Sequence, residues 1–353
     1  MELTAAQLYE KRKMNLAIFG LSIAVISSIA NATFPIFNST AMGLVAEEMS
    51  VADKVMAMYV VTLLMVALCE FLGGIMTVIY NWFTGYPLAE YARVWKIKSS
   101  RMILISAILG GPIATACNMM ATGFCGVTYT SCMVGLTPVV TAVLGAIFLK
   151  EKTGSRVIIG IVITVIGAIV ATLAPPEGVT NFYLGIGIAL VCPIAFALES
   201  IISTHAVDVC DPRTACPLYR MILSAVMEIV IALLVCAATG HMAWFTGVFT
   251  AAFSSSRIIL FMILTAIFMM IQYNMTYTAY TYCGAIKASA ILFSYSIWTI
   301  PVGLLLAACG VTPYAVTGLG VLATIIVVVG ILLVIAKPSE LFSLRDSSEE
   351  VKE

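Results

Sequence analysis

Charged residues in this chain bunch into short clusters, and between the clusters run apolar stretches long enough to cross a lipid bilayer. A spanning helix needs roughly 20 apolar residues, since each adds about 1.5 Å against a hydrocarbon core about 30 Å thick. Ten stretches meet the requirement, near 14–37, 55–80, 102–123, 126–149, 157–174, 181–207, 215–239, 258–283, 288–309 and 313–336. From Met102 to Leu149 no charged residue occurs, so that run crosses twice with a turn at Gly123 to Gly126. Lys287 alone interrupts the stretch from Ile258 to Ala336, which holds three crossings. The pattern predicts an all-α polytopic membrane protein with ten transmembrane helices and no inserted soluble domain.

Composition sharpens this. The 353 residues are 61% hydrophobic and 10% charged, with a mean hydropathy of +1.08, whereas soluble domains carry about 25% charged residues. Disordered, collagen-like and ordinary cytosolic classes are excluded. Eighteen basic and eighteen acidic residues cancel, leaving no net field to attract nucleic acid. Their placement is informative instead. Sixteen of the eighteen basic residues, among them Lys11 to Lys13, Arg93, Lys150, Arg213, Arg220 and Lys337, fall at or near one face, and only Lys54 and Arg257 at the other. The positive-inside rule then makes both termini cytoplasmic, in a cell (plasma or inner) membrane. The first apolar run follows Lys11 to Lys13 but is too long for a signal peptide and stays as a span. Residues 337–353 read as a polar, disordered cytoplasmic tail. Ten Cys lie mostly in apolar runs without short paired spacing, which supports neither a disulfide framework nor a metal site. The Trp82, Tyr86, Tyr91, Trp95 segment reads as an interfacial connector on the cytoplasmic side.

An internal repeat organises the spans. Asn118-Met119-x-x-Thr122 recurs as Asn274-Met275-x-x-Thr278, and Cys125-Gly126 followed by Ser131 recurs as Cys283-Gly284 followed by Ser289. The copies lie five crossings apart and so run through the membrane in opposite directions. Two inverted five-helix repeats are expected, at 14–174 and 181–336. Halves related by an axis in the membrane plane can open a midplane site to one side and then the other.

The segment from Gly126 to Ala171, with Pro138, Leu149-Lys150-Glu151, Gly160 and Gly167, resembles the EamA repeat of the drug/metabolite transporter superfamily. Ala285 to Ile335, with Ala288-Ser289, Pro301 and Gly318, resembles its partner repeat, although the acidic residue of Glu151 has no counterpart near Cys309 and Gly310. The resemblance implies a ten-helix permease in which the first, third, fourth, sixth, eighth and ninth spans surround the cavity. Export of amino acids or related metabolites is its commonest implication.

Ionisable groups at membrane depth cost about 2.5 to 3.5 kcal/mol on insertion scales, so each is a functional candidate. Glu199 stands out, sharing a span with Pro193, Ser200 and Ser203. A proline frees a backbone carbonyl that can line a cavity. Its approximate repeat partner is Asn31, four residues before Pro35. Burial disfavours a carboxylate, so Glu199 is the candidate for taking up and releasing a proton during transport; a carboxyl held protonated against hydroxyls or amides is the structural alternative. Glu70 and Glu228 fall on matching spans that the resemblance makes peripheral, and they suit a packing pair. Arg220 and Glu228 lie two turns apart on one helix and are open to bridging through a neighbour.

A second constellation is uncharged. Asn118 and Asn274 occupy equivalent repeat positions, with Tyr277 nearly one turn beyond Asn274, and Tyr129, Tyr295 and Trp298 add rings with polar tips. Amides donate and accept, and aromatic faces attract cations, so this lining suits a small zwitterion, amine or aromatic metabolite. Interhelical amide and hydroxyl contacts are the alternative use of the same residues. His205 and His241 read as interfacial. No HExxH, GxSxG or P-loop occurs, so neither an enzyme nor a cofactor is expected. The sequence reads as a secondary transporter of small organic metabolites in the lipid bilayer, with export favoured, proton coupling a variant, and a homodimer compatible. An importer of a choline-like or other amine is the alternative, and a membrane-embedded enzyme or scaffold the rival from another class.

Overall fold

The computed structural model describes residues 5–51, 54–97, 99–148, 155–173, 175, 181–207 and 209–334. The Leu149-Lys150-Glu151 motif and the tail expected at 337–353 lie outside the described residues. The described residues form helices joined by short turns. In chain order these are α1 (Ala5–Glu48), α2 (Val55–Phe83), α3 (Ala89–Trp95), α4 (Ile103–Cys125), α5 (Val127–Val134 continued by Thr137–Phe148) and α6 (Ser155–Ala171). They continue as α7 (Phe182–Ala189 continued by Cys192–Val207), α8 (Pro212–Thr239), α9 (Met242–Ala252), α10 (Ser256–Gly284), α11 (Lys287–Ala308) and α12 (Gly318–Val334). Among them eight are long and apolar enough to cross a membrane, while α6 and α12 are apolar helices of 17 residues each.

The first helix outruns the expected 14–37 by continuing to Glu48. Pro35 lies inside it without ending it, and beyond it Ser39 and Thr40 turn their hydroxyls onto the Ile36 carbonyl at 3.0 and 2.9 Å. The short apolar α9 was not anticipated. It packs on α2 and α8, and just beyond it Ser254 donates to Glu48 at 2.6 Å.

Helices pair in a regular way: α1 with α10, α4 with α7, α2 with α8, α5 with α11, and α6 with α12. The two Cys-Gly steps of the repeat share one backbone geometry. Gly126 (φ 87°, ψ 153°) and Gly284 (φ 74°, ψ 172°) both take a conformation essentially reserved for glycine, which joins α4 to α5 and α10 to α11 without a loop. Thr122 and Thr278 likewise each donate to the carbonyl four residues back, Asn118 and Asn274, at 2.8 and 2.7 Å.

Two π-helical segments interrupt the bundle, Leu109–Thr115 in α4 and Ala215–Ile222 in α8, and the sequence of each contains a proline, Pro112 and Pro217. Proline lacks the amide that the α-helical ladder needs, and a one-residue widening accommodates the gap. The two segments lie against each other. The Tyr86 to Trp95 connector clasps the start of α8: Asn81 donates to Tyr91 Oη at 3.0 Å and to the Arg213 carbonyl at 2.9 Å, and Trp95 stacks on Tyr219 at 5.3 Å.

Candidate functional site

A small cavity lies between α1, α4, α5, α7, α10 and α11, lined by Asn31, Phe34, Thr115, Asn118, Val134, Phe196, Glu199, Gln272, Tyr273, Thr276, Tyr277, Tyr280, Leu292 and Phe293. Its volume is about 20 Å³, the room of roughly one water molecule. Both halves of the chain contribute. Pro35 lacks the amide that would bond the Asn31 carbonyl, so a backbone acceptor is freed beside the Asn31 side chain. On α10, Gln272, Thr276 and Tyr280 recur at four-residue spacing and therefore share one face. Ser27 of α1 closes on that face, donating to the Gln272 carbonyl at 2.8 Å and meeting the Thr276 hydroxyl at 2.6 Å. Tyr277 and Tyr280 hold Ser203 and Ser200 of α7 at 3.1 and 3.0 Å.

One wall of the cavity opens onto a buried ionic cluster. Arg220 is fully buried about two turns, roughly 12 Å, inside α8. Counting it with the cytoplasmic-face cations is therefore corrected: Glu199 and Glu70, which pair with it, offset the cost of burying a guanidinium away from the interface. Its Nε donates to Glu199 Oε1 at 2.6 Å, and Nη1 to both oxygens of Glu70 at 3.3 and 3.4 Å. Nη2 donates to Tyr273 Oη at 3.0 Å and to Thr115 Oγ1 at 3.4 Å. The Tyr273 hydroxyl in turn donates to Glu70 Oε1 at 3.1 Å, and its ring centroid lies 4.6 Å from the guanidinium carbon. Only the planar, five-donor fork of arginine can serve Glu199, Glu70, Thr115 and Tyr273 at once.

The π segment of α4 is what admits this cluster. A Cβ on Gly110 would lie 2.3 to 2.6 Å from the Glu199 carboxyl, and one on Gly111 would lie 1.5 Å from Ser224 Oγ and 3.3 Å from Glu228 Oε1. Thr115 donates to the Gly110 carbonyl at 2.5 Å and fixes the widened turn. Glu228 is fully buried, and neither of its oxygens, nor Ser224 Oγ, has a hydrogen-bond partner. No bridge from Arg220 to Glu228 through a neighbour is present among the described contacts; Arg220 turns instead to Glu199 and Glu70.

Of the residues singled out in the sequence, Asn31, Asn118, Glu199 and Tyr277 come together in the cavity wall. The other four lie elsewhere. Asn274 turns to α2, donating to Thr77 at 3.0 Å and to the Met270 carbonyl at 2.7 Å. Repeat equivalence preserved its backbone position but not its side-chain direction. Tyr129 packs on Phe182 and holds Thr317 at 2.9 Å. Tyr295 is buried behind the wall beside Asn118, and Trp298 packs against the same apolar group as Tyr295. Sequence reasoning missed Arg220, Thr115, Gln272, Tyr273, Thr276 and Tyr280. The four-residue polar stripe on α10 was a usable signal for three of them, and an arginine two turns inside an apolar run was the signal for Arg220.

A solved structure described only as "Crystal structure of protein" superposes with a TM-score of 0.56 at 14% identity, covering 88% of this chain and 95% of that one, which shows a shared fold. No curated protein matches the chain. Residues 18–173 match the model of the EamA-like transporter family, and among the described residues of this chain eight helices are long and apolar enough to cross a membrane.

Proposed function

We propose that the protein is a secondary transporter that moves a small organic metabolite, an amino acid or a related zwitterion, outward by alternating access between two inverted five-helix halves. In this reading α6 and α12 complete ten crossings, the halves are 14–174 and 181–336, and both termini are cytoplasmic. The observation that carries it is the cavity itself, enclosed by Asn31, Thr115 and Asn118 from one half and Glu199, Gln272, Thr276 and Tyr277 from the other. Helix pairing adds support. Exchanging α1, α2, α4, α5 and α6 for α7, α8, α10, α11 and α12 turns the α1–α10 pair into α7–α4 and leaves every other pair unchanged, as two inverted copies require. The matching Gly126 and Gly284 geometry points the same way.

Amide groups and hydroxyls can bind both ends of a zwitterion, and the Phe34, Phe196 and Phe293 rings can cover its carbon frame. At about 20 Å³ the chamber is contracted, so solute entry requires the halves to part. Glu199 is the coupling candidate: it faces the cavity while holding Arg220, so a proton on its carboxyl weakens that pair and alters the wall the solute meets. The same carboxyl among Tyr277, Tyr280 and Phe rings favours a second reading, import of a choline-like or other amine, in which the cation shares Glu199 with Arg220.

A thermal-shift screen of the purified protein against amino acids, amines, nucleosides and sugars tests the binding claim. A ligand at one hundred times its Kd adds about 2.7 kcal/mol of stability, and Asn118→Leu is expected to remove that gain. If no class stabilises the protein and none crosses proteoliposome membranes, the transport reading fails. Glu199→Gln is expected to abolish pH dependence of uptake; retained pH dependence removes Glu199 from the coupling role.

A further inference from the structure

Glu228 is used by nothing described so far. Its side chain is fully buried, both carboxyl oxygens are without a hydrogen-bond partner, and Ser224 Oγ, one turn earlier on the same helix, is also without one. Buried carboxyls in proteins are paired, hydrogen-bonded or protonated. The groups that face Glu228 are Arg220 from α8 itself and Glu70 from α2. Cys69 and Tyr59 of α2 also feel its charge, and Tyr59 in turn feels that of Cys117 of α4. α10 packs on α8 as well and brings Tyr273, already bonded to Arg220 and Glu70, while α9 carries no titratable residue. Arg220 is the one cation among these groups, and it is already shared between Glu199 and Glu70. Three carboxylates around one guanidinium would leave two negative charges uncompensated at membrane depth.

We propose that Glu228, with Ser224 and the neighbouring Glu70 carboxyl, is a proton-binding site of the transport cycle, set apart from the solute cavity and linked to it through Arg220 and the Gly110–Gly111 step of α4. The inference rests on the transport reading above. A proton fits where a metal ion does not. Hard cations take about six oxygen ligands, and the unpartnered oxygens here come from two side chains, with Gly111 closing the remaining side. Uptake converts the Glu228 carboxylate to the neutral acid, whose O–H can donate to a neighbouring oxygen such as that of Ser224 or Glu70. Release restores a carboxylate beside Glu70. That added negative charge draws Arg220 toward the Glu70 side and away from Glu199, which then faces the cavity unpaired. Gly110 touches the Glu199 carboxyl and Gly111 touches Ser224 and Glu228, so one widened turn senses both sites.

Infrared spectroscopy of the full-length protein in lipid, titrated from acid to alkaline pH without any solute, tests this. Above about pH 6, where solvent-exposed carboxyls are already ionised, the wild type is expected to lose a protonated-carboxyl stretching component that includes Glu228. Glu228→Gln is expected to lack that component, and Glu199→Gln to keep it. Should Glu228→Gln fail to fold, Glu228→Asp is expected to retain a titrating band at a displaced frequency. The proposal is overturned if the titrating component survives Glu228→Gln or if Glu228→Asp leaves it unmoved. It is also overturned if sodium chloride, but not choline chloride, removes the band at constant pH. Because no solute is involved, loss of this proposal leaves the transport reading standing, and a failed solute screen leaves the band to be judged separately.

Discussion

Two helix pairs in this molecule meet the same demand by opposite means. The α6–α12 pair has no ion pair among the described residues, only an exposed contact of Arg156 with the Leu332 carbonyl at 3.5 Å, and brings its backbones together at Gly160, Gly167 and Gly330, where added Cβ atoms would lie 2.7 Å from Val334 N, 2.7 Å from Val327 N and 2.5 Å from Thr164 N. Lipid offers no hydrophobic drive for helices to associate, so close van der Waals contact across small residues does that job. The α2–α8 pair instead carries Glu70, Arg220 and Glu228 into the interior and widens one of its helices to do so. Burying an ion pair is rarely the more stable solution. A chain able to pack helices by glycine at one edge has no packing need for charges at its centre, which is what the proposed role of the central cluster in transport requires.

Removing the cation should break the comparison most severely. Arg220→Leu leaves Glu70 and Glu199 without their counter-charge and is expected to destabilise the protein by about 3–5 kcal/mol, read as a fall in unfolding midpoint in detergent. Arg220→Lys should rescue only part of that loss, since an ammonium is a compact point charge without the guanidinium's fixed fork. An Arg220→Leu protein as stable as the wild type would show that the cluster is held neutral by protons alone.

Glycine substitutions on the two sides separate packing from chemistry. Gly330→Ala and Gly110→Ala both insert a methyl group into a filled space, and each is expected to cost about 1–3 kcal/mol of stability. They should differ in the second readout. At Gly330 the methyl meets Thr164 and the Gly160 carbonyl, so ligand response and pH dependence should be unchanged. At Gly110 it meets only the Glu199 carboxyl, which must move off Arg220, so pH dependence of transport should shift. Equal effects of both substitutions on pH dependence would mean that Gly110 acts through packing alone.

These contrasts also mark what could be read in advance. Eight of the ten expected spans were legible because apolar length is a property of consecutive residues, and the Cys125-Gly126 and Cys283-Gly284 copies were legible because glycine-only backbone leaves a trace in sequence. Side-chain direction is not such a property. Asn118 and Asn274 match in motif, yet one faces the cavity and the other faces Thr77, because the copies pack against different neighbours. Arg220 was misplaced for a related reason: charge counting assigns a cation by its distance along the chain, whereas its depth was decided by Glu70 and Glu199, 150 and 21 residues away.

The smallest expected effect is the most discriminating for the site. Tyr129 and Tyr277 are both almost fully buried and both use their hydroxyls, on Thr317 at 2.9 Å and on Ser203 at 3.1 Å. Tyr129 belongs to the apolar cluster that includes Ala168 of α6 and Val327 of α12, whereas Tyr277 stands in the cavity wall. Replacing either by Phe deletes one hydroxyl and little volume, for an expected loss of about 0.5–1.5 kcal/mol, enough for a measurable drop in unfolding midpoint in both. Only Tyr277→Phe should also weaken the stabilisation given by a bound solute, because only there does the missing hydroxyl border the space a solute would occupy. If Tyr129→Phe alone weakened ligand stabilisation, the solute would have to lie on the α12 side of α5, and the cavity between the halves would lose its assigned occupant.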